Sequence, residues 1–245
     1  LNRASRFADR LYCWFPLNGQ PFNASLINIQ MDFTTAFFNV PRWGGTSIGM
    51  AFNGDGSSTN ITTSQGMGGL GVLGRCTLAA RIWIRTAPTF NRVVQLGDAA
   101  GNGVLTFLMA SSTTDIDFVD PTQTVDTATG ATAANTWCDI VGVYDSGVQK
   151  AMWVNGKKFT FTAPTGTATI TSDSLLIGNR PDHTRAFDGF IADIGIWTYP
   201  WPDQLCMDWN NPSRKYDLYW QPNTRAYSFM SAIAAGTAGY LLVKN

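Results

Sequence analysis

At 245 residues, with a hydrophobic fraction of 44% and 24 glycines, the chain has the make-up of a folded protein of short strands and many turns, and its length suits one all-β domain. Seventeen acidic residues, all aspartate, balance seventeen basic ones, and a net charge of zero excludes the basic footprint of a nucleic-acid-binding protein. No apolar run reaches the roughly 18 residues of a membrane helix, since the longest candidate, residues 230–243, is broken by Ser231, Gly236, Thr237 and Gly239.

In chain order, residues 12–17 (YCWFPL) read as a short aromatic strand, followed by a connection rich in Pro, Asn and Gly up to Gly45. Residues 47–53 place Ile48, Met50 and Phe52 on one face, the period of two of a strand, and residues 53–56 (NGDG) supply a turn. Leu78, Ala80, Ile82 and Ile84 then face one way, with Arg81, Trp83 and Arg85 on the other. Residues 92–97 and 104–109 form a hairpin across a Gly-rich turn at 98–103, and residues 116–119 form a strand within a Thr- and Ala-rich stretch of exposed loop or edge hairpin.

The clearest hairpin pairs residues 138–145 with 150–155 around Asp145-Ser146-Gly147, and Asn155-Gly156 opens a second one into residues 158–162. Strands at 175–178 and 187–197 follow, the latter with Phe190, Ala192, Ile194 and Ile196 expected on a shared face. Residues 202–210 (PDQLCMDWN) read as a short helix with proline near its start. Residues 212–245 are aromatic and irregular, too apolar for a solvated tail, so they are expected to cover another surface.

Cys13, Cys76, Cys138 and Cys206 lack the spacing of a zinc or redox site and read as buried thiols, with disulfides left open. The chain starts at Leu1 with no signal-like apolar core, so either a segment has been removed or the numbering begins late. Asn23 and Asn60 stand in glycosylation sequons that matter only in a secretory setting.

Residues 52–54 (FNG), 78–85, 137–145 (WCDIVGVYD), 152–156 (MWVNG) and 187–197 with 202–205 resemble, in order and spacing, the motifs of the concanavalin A-like superfamily, specifically its LamG-like and pentraxin-like jelly rolls. The resemblance covers about residues 11–210 and implies an all-β, two-sheet antiparallel β-sandwich (jelly roll), six or seven strands to a sheet, with one short helix and an extended C-terminal arm. It divides the chain into an N-terminal arm (1–10), the sandwich (11–211) and an aromatic C-terminal arm (212–245). The family's calcium site is poorly matched. Its acidic-amide cluster falls on Gly178-Asn179-Arg180-Pro181-Asp182, where a cation and a proline replace oxygen donors, so no cofactor is expected and calcium least of all. The pentraxin disulfide would fall on Ala80 and Gly142, so it is not inherited.

Enzymatic relatives use a glutamate-rich carboxylate strand, whereas this chain has no glutamate. Asp188 and Asp193 stand five apart, on opposite faces of a regular strand, and His183 is the lone histidine, set in a turn. No catalytic or metal-binding residue is assigned, and the chain reads as no enzyme.

The LNR opening, the strand at residues 14–17 and the N-P-x-x-x-Y-x-L-Y pattern from Asn211 resemble LamG-like domains of tailed-phage structural proteins. This implies a virion structural protein, a capsid decoration or head-surface subunit at the virion surface. Its partners would be other virion proteins or copies of itself, contacted through Tyr216, Tyr219, Trp220 and Tyr227, with Trp201 and Trp209 weighed equally as core or partner anchors. The alternative is an extracellular carbohydrate-binding lectin module that takes glycan through a loop of Asn102, Asn179, Asp182, His183 and Arg185. Neither reading involves nucleic acid or membrane.

Overall fold

β-Branched and aromatic residues at alternate positions form strands where another layer covers one of their faces. The computed structural model describes residues 5–17, 29, 31–34, 37–38, 50–53, 60–63, 65–86, 90–97, 103–110, 112–170, 175–182 and 184–211. Strands β1 (Leu11–Phe15), β2 (Met31–Thr34), β3 (Phe37–Phe38), β4 (Met50–Asn53), β5 (Asn60–Thr63) and β6 (Gly71–Leu73) precede the long β7 (Arg75–Thr86). They are followed by β8 (Arg92–Gly97), β9 (Gly103–Met109), β10 (Ile116–Val119), β11 (Val125–Ala128), β12 (Trp137–Asp145) and β13 (Gln149–Val154). The series ends with β14 (Lys157–Phe161), β15 (Ala168–Ile170), β16 (Leu175–Ile177), β17 (Asp188–Trp197) and the helix α1 (Asp203–Trp209). No helix among the described residues is long and apolar enough to cross a membrane.

One sheet has eight strands in the order β14-β13-β12-β7-β17-β4-β3, with β1 also on β17; the other has seven, β11-β10-β9-β8-β16-β5-β2. Their pairings are antiparallel. This is the expected sandwich, with one strand more than the resemblance implied. The extra strand fits because β17 is long enough to pair with β4 over Asp188–Ile191 and with β1 over Ile194–Trp197 along the same edge. Asn155 and Gly156 both take positive φ, 49° and 82°, the pair of left-handed residues that closes a tight hairpin between β13 and β14.

The core lies between the sheets. Leu78, Ala80, Ile82 and Ile84 of β7 meet Leu96, Leu105, Phe107, Ile116 and Phe118 of the opposite sheet, all essentially inaccessible. One expected face is corrected. A bulge between Ala192 and Gly195, with Asp193 at φ 51°, breaks the alternation of β17. Ile191, Ile194 and Ile196 therefore join the core, while Phe190 is half-buried against Trp83, ring centroids 5.2 Å apart. The same bulge removes the regular spacing on which the opposed faces of Asp188 and Asp193 were argued. Asp188 is held by Arg85 Nε (2.8 Å) and Thr86 Oγ1 (2.5 Å).

A second apolar layer covers the outer face of the eight-stranded sheet. Trp153, Trp197, Val141 and Val143 lie beneath α1, Trp201 and Phe7. Trp201 and Trp209 are buried here, packed at an angle to Trp197 with ring centroids 4.2 and 5.5 Å away, so this pair is core rather than partner anchor. Residues 5–10, the described part of the expected N-terminal arm, lie against the chain's own sandwich: Trp197 Nε1 donates to Phe7 O at 2.6 Å, and Arg6 pairs with Asp208 at 2.5 Å. Trp220 and the arm at 212–245 fall outside the described residues.

All four cysteines are buried and unpaired. Cys76 and Cys138 lie on neighbouring strands but face Tyr144 and Ile82, not one another. One buried charge was not anticipated. Lys150, fully inaccessible on β13, reaches Asp120 at 2.8 Å and Asp126 at 2.6 Å and donates to Thr124 O at 2.8 Å, tying the β10–β11 hairpin to the other sheet.

Candidate binding groove

Because alternate residues of a strand point to opposite faces, each strand that supplies Phe107 or Phe118 to the core must show its neighbours to the outside. On β8, β9 and β10 those neighbours are Gln95, Thr106 and Asp117, polar residues set within otherwise apolar runs. With Arg92, Phe90 and the loop after β16 they line a groove of about 600 Å³ on the outer face of the seven-stranded sheet.

The loop is shaped by Asn179. Its buried Oδ1 accepts from the backbone N–H groups of Arg180 (2.8 Å) and Arg185 (3.1 Å), so the chain leaves and returns past one acceptor in a tight excursion. Phe187 N–H closes the excursion onto Gly178 O at 2.8 Å, and Arg92 N–H donates to Arg185 O at 3.0 Å, fastening the loop to β8. Inside it, Asp182 accepts from Arg180 Nε (3.0 Å) and Thr184 Oγ1 (2.8 Å). The Arg180 contact, with Thr184 adding to it, holds the Asp182 carboxyl well below the usual carboxylate range.

Three guanidiniums, Arg92, Arg180 and Arg185, therefore converge on a groove that contains two carboxylates, Asp117 and Asp182. Burial and then the repulsion of Arg180 and Arg185 press Arg92 down to about 10, so it stays charged at neutral pH. Arg92 donates to neutral acceptors, Gln95 Oε1 at 3.0 Å and Phe90 O at 3.1 Å. Burial pushes the Asp117 carboxyl up against the opposing effects of the Thr127 hydroxyl (2.6 Å) and Arg92. Phe90 is 42% exposed and Arg185 stacks on it at 5.5 Å, which leaves an aromatic surface at the rim.

Of the loop residues expected to touch a ligand, Asp182 and Arg185 line the groove, while Asn179 lies behind it as a positioning residue. Asn102 and His183 lie outside the described residues, as do Tyr216, Tyr219, Trp220 and Tyr227. The oxygens of Asn179 and Asp182 are already engaged by N–H and O–H donors, and no cluster of three metal-ligating side chains occurs among the described residues. The sequence reading missed Arg92, Thr106 and Asp117. Their signal was there, as polar residues on apolar strands whose core faces were already assigned.

Residues 55–204 match the family model described as the concanavalin A-like lectin/glucanases superfamily. No curated protein matches the chain. Among solved structures, the binding domain of botulinum neurotoxin DC in complex with SialylT is similar at a TM-score of 0.61 and 12% identity, over 85% of this chain and 52% of that one. The botulinum neurotoxin type G receptor-binding domain gives 0.55 and 12%, over 82% and 51%. Trypanosoma rangeli sialidase in complex with sialic acid gives 0.58 and 13%, over 86% and 33%. The chain thus spans about half the length of the toxin binding domains and a third of the sialidase.

Proposed function

The chain belongs to the concanavalin A-like lectin/glucanases superfamily, and from that premise we propose that it is a non-catalytic carbohydrate-binding module whose site is the groove on the seven-stranded sheet. The observation that carries the reading is the composition of the groove: an exposed aromatic rim at Phe90 beside guanidinium, amide, hydroxyl and carboxylate groups that can hydrogen-bond sugar hydroxyls. Similar structures support it, since the toxin binding domain is in complex with SialylT and the sialidase with sialic acid. Likeness of fold alone does not transfer a ligand.

The capsid-subunit reading rested above all on residues 212–245, which lie outside the described residues, and the described residues favour sugar binding over it, because the groove suits a small polar ligand. The test is binding of the full chain to a broad glycan array, repeated with Phe90→Ala. Retention of a defined glycan set that weakens in the variant supports the reading. Silence across the array, together with self-association in light scattering that disappears when residues 212–245 are deleted, returns the argument to the structural subunit.

A further inference from the structure

We propose that the groove selects sugars bearing an oxyanion, a carboxylate or a sulfate ester, with the Arg92 guanidinium as the anion's partner and the Thr106 hydroxyl beside it. This names the ligand class within the carbohydrate-binding reading and rests on it.

Arg180 is matched by Asp182 in a two-point pair, and the Arg185 guanidinium sits over the Phe90 ring. Arg92 differs. Among the described residues it makes no ion pair, and both of its hydrogen-bond acceptors are neutral. A guanidinium is a planar fork that fits a carboxylate or sulfate through two parallel N–H bonds, and such charge-assisted bonds are about twice as strong as neutral ones. Thr106 supplies an independent sign of a missing ligand. It is 1% exposed, lines the same groove, and its Oγ1 has no hydrogen-bond partner, an arrangement rare for a buried hydroxyl. Only glycine fits beside that hydroxyl at position 103, because a Cβ there would sit 2.6 Å from Thr106 Oγ1. An oxyanion in the groove would relieve the repulsion among three guanidiniums and give the hydroxyl an acceptor. The exposed Phe90 ring would meet the carbon face of the sugar.

The experiment titrates the full chain with lactose, sialyllactose and sulfated lactose by calorimetry at two salt concentrations. One or both acidic probes should bind at least about tenfold more tightly than lactose, with the advantage shrinking at high salt. Arg92→Gln should shrink the ratio of acidic-probe to lactose affinity to near one, whatever it does to the lactose affinity itself. Thr106→Val, which keeps the shape of the side chain, and the half-buried Arg185→Gln give the same comparison if Arg92→Gln does not fold. A preference for sialyllactose alone assigns the carboxylate, and one for the sulfated probe alone assigns the sulfate. Equal binding of all three probes overturns the acidic class while leaving the sugar-binding reading intact. Binding of none, with silence on the glycan array, overturns both.

Discussion

Replacing Lys150 with methionine tests whether the buried ammonium holds the two sheets together. Lys150 and Asp120 are both fully inaccessible, whereas the Asp126 side chain is 29% exposed and can turn to water. Removing one partner of a buried pair costs about 3–5 kcal/mol, mostly because the other charge is stranded. Asp120 keeps two further donors, Thr122 N–H at 2.7 Å and Thr122 Oγ1 at 2.6 Å, so the lower end applies, about 3 kcal/mol. With a urea slope of about 2–3 kcal/mol/M, that lowers the unfolding midpoint by roughly 1–1.5 M. The double variant Lys150→Met/Asp120→Asn keeps the turn hydrogen bonds and removes the stranded charge, so it should recover more than half of the loss. Equilibrium urea denaturation of wild type, both single variants and the double one closes the cycle. A loss under about 1 kcal/mol for Lys150→Met, or a double variant no better than the single one, refutes the reasoning.

Gly189→Ala should fail to give soluble folded protein, because at φ 151° a Cβ there would lie 1.9 Å from the Trp83 carbonyl oxygen, and backbone cannot yield as a side chain can; a solubility and circular dichroism comparison checks it. Cys13, Cys76 and Cys206 are buried thiols pushed well above their ordinary range by desolvation, so they should resist iodoacetamide at neutral pH and react only on unfolding, as read by mass spectrometry. Asp117 is raised by burial, with Asp115 and Asp126 adding to the effect and Arg92 and the Thr127 hydroxyl opposing it. Its folded form therefore binds a proton more readily than its unfolded form, so it destabilises the fold above the folded value and ceases to do so below about pH 4. Asp117→Asn should accordingly be more stable than wild type at pH 7 and lose that advantage as the pH falls to 4. An advantage that does not change with pH in thermal melts would show that the effect is not titration.

The strands could be read from the sequence where alternation was strict. Leu78 to Ile84, the hairpin around Gly147 and the Asn155-Gly156 turn needed nothing beyond period and turn chemistry. Alternation failed at β17, since a bulge is set by a single residue in the left-handed region and Asp193 carries no glycine-like mark. The groove was half legible. Its loop stood out as Asn179, Asp182 and Arg185, because turns and charge are local properties. Arg92, Thr106 and Asp117 become neighbours only when three strands are laid side by side in register, which no local pattern encodes. Lys150 was missed for the same reason: a lysine within an alternating strand reads as solvent-facing until Asp120 and Asp126, from a distant hairpin, are placed over it.

The latch of Phe7 onto Trp197, Trp201 and Trp209 joins the start of the described chain to its closing helix on the outer face of the eight-stranded sheet. The groove opens on the outer face of the other sheet. A partner docked over Phe7 and Trp209 would therefore leave the guanidiniums of the groove uncovered on the far sheet.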